Sequence, residues 1–468
     1  MAKKKEKKDS DMRTKNIKKQ KNKKKHFIGV KEFVFNFISI VFALVVLFYF
    51  GGRCFYYYSL QSQKQKDTEM TLNGLIIQNN KLVQSGDGLY QDKTGYYFRG
   101  REINNYVWFA NRMFRVLEVN QDNTVKLVSN DLVSMFMWGE ETSYDKSNIR
   151  LWLTDDDSEH AGVYYKTIPN PNKFIKKTSY TIDSLKKGTV KSGEERKADN
   201  VVSLTLSDYI RSGSKDGFLN NGKLFYLLGF SSDNENLYVE EDGSIKVCDN
   251  LDAYGVRSVI TLNKNLVVSQ GDGSVNNPYV INQGKDINYV DSYVKLGDDL
   301  YKVSFDNNGI LKMYLNGYIV VDGDEVLMSY SGSSSHFDYS DRKNIAYYLI
   351  NSYLNSLPYR DYIVTSTYPL GEMSAETGYN YQNIYSNNFD GSISLLNLFD
   401  YVSNNELTDF FRNNTTSSVG DVQYVTYSNG IVEETDVKEM KHIVPVISIN
   451  SDIIKGGTGR IDDPYVVG

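Results

Sequence analysis

The sequence predicts an α+β protein, with an N-terminal transmembrane helix followed by two tandem domains built mostly from antiparallel sheet. Three observations lead to this fold class: a long uncharged apolar segment near the N-terminus, abundant Tyr, Asn, Asp, Ser and Val, and an internal repeat. Each domain is predicted to have one main helix and long loops. With 468 residues the chain is long enough for two or three such cores.

The transmembrane helix is predicted at residues 33–50, which carry no charge. Eighteen residues of helix measure about 27 Å, close to the thickness of the bilayer hydrocarbon. Residues 1–26 carry a net charge of +10 and the whole chain carries −5, so the remainder carries −15. The positive-inside rule therefore predicts a basic cytoplasmic tail at 1–26, a bilayer-spanning segment at 33–50 and an ectodomain outside the cell membrane.

A cleaved signal peptide is the alternative interpretation of residues 33–50. It is disfavoured because the apolar run is long and no small-residue cleavage site follows it. The sequence around Cys54 resembles a lipoprotein box only in part, because Arg53 directly precedes the cysteine. The basic tail is explained by membrane orientation and contact with anionic lipid, so we expect no nucleic-acid partner.

The ectodomain contains two diverged copies of one segment. The first repeat is predicted at residues 86–283 and the second at 289–468, with a stalk at 51–85. The closing segments correspond best: 256–262 and 271–281 match 443–449 and 457–467 at an offset of 186 or 187. Further matches keep the same order: 114–116 with 301–303, 125–130 with 311–316, 148–153 with 344–349, and 202–208 with 393–400.

Each copy is predicted to open with a hairpin, because apolar and polar residues alternate on both sides of a polar turn. The strands are residues 106–118 and 125–129 in the first copy, and 293–305 and 310–315 in the second. A core strand is expected at 201–206 and at 393–398. Two closing strands are expected near 237–247 and 256–262, with counterparts at 423–433 and 443–449.

One main helix is predicted after each hairpin, and it is clearest in the second copy. Ile345, Leu349 and Leu357 belong to a series with helical spacing, and Ser340 or Asp341 is the expected N-cap. The first copy offers a shorter equivalent at 148–154. After the helix, each copy contains a long irregular insertion.

A Gly-x-Gly turn followed by Pro-Tyr closes both copies. No Lys-Ser/Thr pair and no helix follow the glycines, so a phosphate-binding loop is disfavoured. We expect the glycines to form a turn, and Pro278 and Pro464 each to open a final edge strand.

The segments 86–90, 96–100, 105–107 and 114–117 resemble surface proteins of low-GC bacteria, of the Bacillota and Mycoplasmatota type. Those proteins have an N-terminal anchor and a domain of unknown function that ends in a Val-Arg-Pro-Val-Ile-x-Leu strand and a Gly-Asp-Gly…Pro-Tyr tail. The resemblance covers residues 72–281 and, more faintly, 290–468. It departs from the family pattern at Phe114, where Trp is usual, and at Ser258, where Pro is common.

The domain also resembles, more distantly, C-type-lectin-like folds. That resemblance implies one helix, a long loop region and termini paired as strands, and by itself it implies no function. The calcium-lectin motifs are absent from the sequence, so calcium-dependent sugar binding is not expected.

No residues are assigned a catalytic, metal-binding or cofactor-binding role. The four histidines are scattered and no Cys-x-x-Cys exists. Cys248 with His160 is the conceivable nucleophile and base, but a buried, inert cysteine is favoured. The acidic stretches at 306–309 and 322–325 do not complete a calcium loop, and solvated hairpin turns are the preferred interpretation.

The two insertions differ in a way that indicates a binding surface. The first, at 169–200, is rich in lysine: Lys173, Lys176, Lys177, Lys186, Lys187 and Lys191. The second, at 367–390, contains Tyr379, Tyr381 and Tyr385, which we predict as ligand-binding residues because Tyr offers wide contact at low entropy cost. Neutral drift of a surface loop is the alternative explanation.

The predicted function is that of a single-pass bacterial surface protein with a non-catalytic binding or adhesion module for glycan, envelope or protein ligands. The alternatives are an envelope hydrolase that uses carboxylates and a structural surface-assembly protein. Exposed tyrosines in the 378–385 loop would favour binding, a buried acidic cleft would favour the enzyme, and an apolar patch shared between the copies would favour assembly.

Overall fold

The computed structural model describes residues 70–154, 160–193, 198–284, 287–332, 337–372, 379–403 and 436–468, the backbone of three short strands between 417 and 434, and five isolated positions before residue 70. The chain divides at residue 69, and residues 70–468 form one compact unit that contains both repeats.

The elements of the first repeat are short strands with a few short helices between them. They are α1 Leu72–Asn79, β1 Gly88–Asp92, β2 Gly95–Arg99, β3 Tyr106–Phe109, β4 Arg112–Asn120, β5 Val125–Ser129, β6 Ser134–Met137, α2 Asn148–Leu153, α3 Val163–Lys166, α4 Pro171–Phe174, β7 Asp183–Lys186, β8 Thr189–Lys191, β9 Val201–Ser203, α5 Leu206–Arg211, β10 Phe225–Ser231, β11 Asn236–Val239, β12 Ile245–Val247, β13 Ala253–Val256, β14 Ser258–Leu262, β15 Val268–Gln270 and β16 Tyr279–Ile281.

The second repeat follows the same plan. Its elements are β17 Tyr293–Leu296, β18 Asp299–Asn307, β19 Ile310–Leu315, β20 Val320–Val321, β21 Asp324–Glu325, β22 Leu327–Ser329, α6 Ile345–Tyr348, a π-helical turn Leu349–Tyr353, α7 Leu354–Ser356, β23 Ser366–Pro369, β24 Asn388–Gly391, β25 Ile393–Leu395, α8 Leu398–Ser403, β26 Ser417–Val419, β27 Gln423–Ser428, β28 Ile431–Glu434, β29 Met440–His442, β30 Pro445–Asn450, β31 Ile454–Gly456 and β32 Tyr465–Val467.

The main sheets of the two repeats contain equivalent strands in the same order. The first is β15-β16-β3-β4-β5-β14-β9 and the second is β31-β32-β17-β18-β19-β30-β25. In each sheet one pair is parallel, β16 with β3 and β32 with β17, and the other pairs are antiparallel. The predicted α+β class is therefore confirmed in outline. The β1–β2 hairpin is an addition of the first repeat and pairs with β4.

A smaller sheet accompanies each main sheet. In the first repeat its order is β12-β11-β10-β13-β6, with β7 pairing on β10. The second repeat divides the corresponding strands into the pair β22–β29 and the three-stranded β26-β27-β28. The pairs β6–β13 and β22–β29 are equivalent. In each pair, the first strand follows the opening hairpin of its repeat and the second directly precedes the closing strand, β14 or β30.

The closing turns adopt the conformation that glycine allows. Gly271 and Gly457 have φ of +114° and +92°, and a Cβ there would lie 1.9 Å and 2.2 Å from the carbonyl oxygens of Pro278 and Pro464. The prediction of a final edge strand was wrong. β16 and β32 pair on both sides, and β15 and β31 form the edge, because the chain before each turn folds back as an extra strand.

The helix after the hairpin begins later than predicted in the second repeat. Neither Ser340 nor Asp341 is its N-cap, since the Asn344 side chain accepts the hydrogen bond from the Ala346 N–H. Its four-residue turn α6 passes through the π-helical turn into α7. In the first repeat, Ser147 caps α2, which matches the predicted helix closely.

The helix that follows the core strand in each repeat was not predicted. The core strands are shorter than expected, and α5 and α8 begin three residues after β9 and β25 end. Local hydrogen bonds explain the change of structure. The Asp208 N–H donates to the Thr205 hydroxyl, and that hydroxyl donates back to the Asp208 carboxylate. At the start of α8, the Asp400 N–H donates to the Asn397 side-chain oxygen, and the Asn397 N–H donates to the Asp400 carboxylate.

The predicted stalk, 51–85, is too long at its C-terminal end. Leu72 and Ile76 of α1 are buried in the core of the first repeat, and the Leu72 N–H donates to the Leu266 carbonyl at 2.9 Å. A helix of only eight residues is stabilised by this docking rather than by its own length. Residues 70–85 therefore belong to the folded unit.

Residues 33–50, the predicted transmembrane segment, lie outside the described residues except for Phe35 and Phe37, which are helical. Within the part of the chain that the structure describes, no helix is long and apolar enough to cross a membrane. The anchor and its orientation therefore stay predictions.

Candidate functional site

The three predicted ligand-binding tyrosines do not form an exposed surface. Tyr379 and Tyr381 are 4% and 1% exposed, and Tyr385 is half-buried. Exposed tyrosines in this loop, the observation that would favour binding, are not found, because the rings of these three residues pack between the two repeats. Whether these residues contact a ligand stays a prediction, and in this arrangement Tyr379 and Tyr381 offer almost no surface to one.

Tyr379 joins the second repeat to β6 and α2 of the first. Its hydroxyl accepts a hydrogen bond from the Met137 N–H at 3.1 Å, and its carbonyl accepts one from the Asn148 side-chain amide at 3.2 Å. The ring lies 6.3 Å from that of Phe136. Burial raises the pKa of Tyr379, so it remains a neutral phenol. These bonds satisfy polar groups that would otherwise be buried without partners.

Tyr381 and Tyr385 extend the same contact. The Tyr381 hydroxyl donates to the His160 carbonyl at 2.8 Å, and the Tyr385 ring stacks on the His160 ring at 4.1 Å between centroids. Nearby, the Ser134 hydroxyl donates to the Val402 carbonyl at the end of α8. We call this whole contact, formed by residues 379–402 against β6, α2 and His160, the inter-repeat seal.

A polar junction lies where the chain passes from one repeat to the next. Arg112 donates to Asp291 at 2.6 Å and to the Thr167 hydroxyl at 2.7 Å, and its guanidinium lies 4.6 Å from the centre of the Tyr164 ring. Burial lowers the pKa of Lys302 to about 8, opposed by Asp291 and reinforced by Arg112. The repeats are thus held together by hydrogen bonds and charge as well as by apolar contact.

An equivalent ion pair is present in both repeats and was not recognised in the sequence. Lys126 of β5 lies 2.7 Å from Asp208 of α5, and Lys312 of β19 lies 2.9 Å from Asp400 of α8. The second pair is fully buried, whereas the first is partly exposed. The signal was available, because both lysines occupy the second position of matching strand segments.

The lysine-rich insertion forms a hairpin on the small sheet of the first repeat. β7 pairs with β10 on one side and with β8 on the other, and the turn between them uses Lys187 at φ +49° and Gly188 at φ +76°. Lys186, Lys187 and Lys191 are exposed. We call β7, β8 and their turn the lysine hairpin. Its lysines are open to solvent, whereas the tyrosines of the other insertion pack in the inter-repeat seal.

The remaining candidate residues lie in the core or in hairpin turns. Cys248 is buried, and burial raises its pKa to about 12, as expected of an inert thiol. The 322–325 stretch contains the turn between β20 and β21, with Asp322 at φ +53°, and β21 itself. Residues 306–309 close the β18–β19 hairpin. Among the described residues, no group of three or more His, Cys, Asp or Glu side chains is placed to share a metal ion.

Comparisons with protein-family models, with curated proteins and with solved structures find no match to this chain. The resemblance to anchored surface proteins of low-GC bacteria, and the more distant one to C-type-lectin-like folds, therefore stay predictions that rest on the sequence.

Proposed function

We propose that the protein is a single-pass membrane-anchored bacterial surface protein whose ectodomain is a non-catalytic binding or adhesion module. Residues 33–50 cross the bilayer, residues 1–26 lie in the cytoplasm, and the two repeats form a lectin-like extracytoplasmic head. Its ligand is a glycan, an envelope component or a protein, and nucleic acid is not among its partners. The charge asymmetry of the sequence supports this topology.

The difference in solvent exposure between the tyrosines of one insertion and the lysines of the other is the observation that supports binding best. Tyr379, Tyr381 and Tyr385 of the tyrosine-rich insertion are buried or half-buried in the inter-repeat seal, whereas the lysines of the lysine hairpin are exposed on a body of opposite charge. A constant scaffold that displays one divergent, rigid and charged element is a common design for recognition surfaces. The binding surface therefore lies on the first repeat, at the lysine hairpin.

Assembly through the second repeat is the competing function. The β22–β29 pair exposes Leu327 and Met440, which are 48% and 58% accessible. The equivalent β6–β13 pair of the first repeat is covered by the inter-repeat seal. An apolar surface that is covered in one copy and open in the other favours a partner protein there.

Retention on the cell envelope tests the binding proposal. Three forms of residues 61–468 are passed over purified envelope. They are the unaltered protein, the hairpin variant Lys186→Gln/Lys187→Gln/Lys191→Gln and the control variant Lys264→Gln/Lys295→Gln/Lys455→Gln. The control removes the same charge from other exposed sites. We expect saturable retention that is lost in the hairpin variant and kept in the control. If the folded, unaltered protein is not retained, an envelope ligand is refuted. A further variant, Leu327→Ser/Met440→Ser, alters the apolar strand pair of the second repeat. Retention lost only in that variant would favour assembly.

Protease treatment of intact cells tests the topology. We expect external protease to remove a C-terminal epitope while an N-terminal epitope stays protected until the membrane is permeabilised. Release of the whole chain from membranes by alkaline carbonate would contradict an uncleaved anchor.

A further inference from the structure

The lysine hairpin has one apolar side and one cationic side. Leu185 faces Val190 across the two strands, and both side chains pack against the core. Successive side chains of a strand point to opposite faces, so Lys186 and Lys191 lie on the outer face, away from that pair. The alternation therefore holds the lysines towards solvent while the hairpin itself is fixed to the body.

The one acidic residue within these strands is turned inwards. Asp183 is buried, and its carboxylate accepts hydrogen bonds from the Gly193 N–H at 2.9 Å and from the Ser207 hydroxyl. It fastens the base of the hairpin to α5 and does not neutralise the lysines at the surface. Among the described residues, Lys186, Lys187 and Lys191 have no ion-pair partner.

The three lysines are spaced along the hairpin, so they suit a ligand with several anionic groups in a row better than a single small anion. Lys186 pairs with Thr189 and Lys191 pairs with Ser184, so the two lysines are diagonal neighbours, about 7–8 Å apart. Lys187 continues the series at the turn. The segment that follows, 194–197, contains two Glu, one Arg and one Lys, and its net charge of zero leaves this excess unchanged.

We infer that Lys186, Lys187 and Lys191 dock a linear anionic polymer along the outer face of the lysine hairpin, an inference that rests on the proposed binding function. Lysine ammonium groups act as mobile point charges, which suits a repeating polyanion and gives little discrimination between monomers. A lipid surface is a poorer occupant. The turn, Lys186-Lys-Gly-Thr189, carries no apolar side chain that could enter a bilayer interface.

Binding of long-chain inorganic polyphosphate tests this inference. Residues 70–468 are suitable because they form one compact unit with its own core, and because the basic tail, which would bind the probe itself, is absent. At 50 mM salt we expect the hairpin triple Gln variant to bind about tenfold to a hundredfold more weakly than the unaltered protein. The slope of log affinity against log salt should fall in magnitude by about 2, as for three lost polyelectrolyte contacts.

The control triple variant, at Lys264, Lys295 and Lys455, should bind polyphosphate as the unaltered protein does. Equal losses in both variants would overturn the inference, since only net charge would then matter. Binding to vesicles with one third phosphatidylglycerol but not to polyphosphate would overturn it in favour of lipid. Envelope retention that is lost in the hairpin variant, together with no polyphosphate binding, would refute the polymer site while leaving the proposed binding function intact.

Discussion

Tyr379 presents its hydroxyl, its carbonyl and its ring to the first repeat at once. Its neighbours there are the Met137 N–H, the Asn148 amide and the Phe136 ring. Such a side chain cannot be exchanged without leaving buried polar groups unpaired or a cavity between the repeats. At the residue scale, this is where the two copies depend on each other.

Substitution of Tyr379 tests that dependence. Tyr379→Phe removes one hydrogen bond and should lower the free energy of unfolding by about 1 kcal/mol. Tyr379→Ala also removes the ring and should cost about 3–5 kcal/mol. Urea unfolding measures both, with Tyr362→Phe and Tyr362→Ala as controls at a partly exposed site, where changes of about 0.5 kcal/mol are expected. Equal effects at the two sites would contradict the role of Tyr379.

Titration of Lys302 should make the free energy of unfolding change with pH in the alkaline range. Its folded pKa of about 8 lies below the ordinary value of 10.5, chiefly because burial disfavours the charged ammonium. Between these values the unfolded chain binds more protons than the folded one, so stability rises as pH rises. From pH 8 to 10 the gain should be about 2 kcal/mol relative to Lys302→Met, which lacks the titrating group.

Comparison with Lys302→Met cancels the opposing ionisation of the tyrosines and of Cys248, whose pKa values burial raises. Lys295→Met, at an exposed position of β17, is the matched control and should behave as the unaltered protein. A pH-independent difference between the unaltered protein and Lys302→Met would show that Lys302 titrates normally.

At the scale of elements, the closing turn is fixed by backbone contact. Gly457→Ala introduces a Cβ against the Pro464 carbonyl oxygen, whereas Gly284, at φ +68°, has no atom within 4 Å of the added carbon. Both substitutions place Ala at positive φ, which costs about 1 kcal/mol. Gly457→Ala should cost about 2 kcal/mol more, because the turn must move. Equal melting temperatures for the two variants would contradict the close approach.

The strands could be predicted from sequence better than the helices. Alternation identified the β4–β5 and β18–β19 turns, but the first predicted strand of each hairpin was wrong. Residues 106–118 and 293–305 each fold back as two antiparallel strands, β3–β4 and β17–β18. The internal repeat identified β14 and β30, whereas the strand expected near 237–247 is the β11–β12 hairpin. The short helices α5 and α8 were not predicted, because they follow the core strands directly and depend on hydrogen bonds of Thr205 and Asn397. The π-helical turn after α6 also has no periodic signal of its own, since it inserts one residue into a regular pattern.

The candidate site could be predicted only in part. The sequence showed that the insertions differ, and the structure shows that Lys186, Lys187 and Lys191 are exposed on the lysine hairpin. It could not show which insertion would be covered, because Tyr is equally suited to a recognition surface and to a buried interface that needs hydroxyl hydrogen bonds. The burial of Tyr379 and Tyr381 is set by contacts more than two hundred residues apart in sequence.

At the scale of the whole molecule, the inter-repeat seal and the Arg112–Asp291 junction make two similar domains into one compact unit. This unit presents unlike surfaces, a cationic hairpin on the first repeat and an apolar strand pair on the second. Duplication alone would have given two equivalent surfaces, and the divergence of the insertions removed that equivalence.

Cooperative unfolding of the two repeats tests this account most directly. The three tryptophans, Trp108, Trp138 and Trp152, all belong to the first repeat, and Trp152 lies in α2 at the inter-repeat seal. Their fluorescence therefore reports the first repeat together with its contact to the second. Gly457→Ala lies in the second repeat. If the repeats form one unit, the substitution lowers the urea midpoint seen by tryptophan fluorescence as much as that seen by circular dichroism. An unchanged tryptophan midpoint, with an earlier separate transition in circular dichroism, would show that the repeats fold independently.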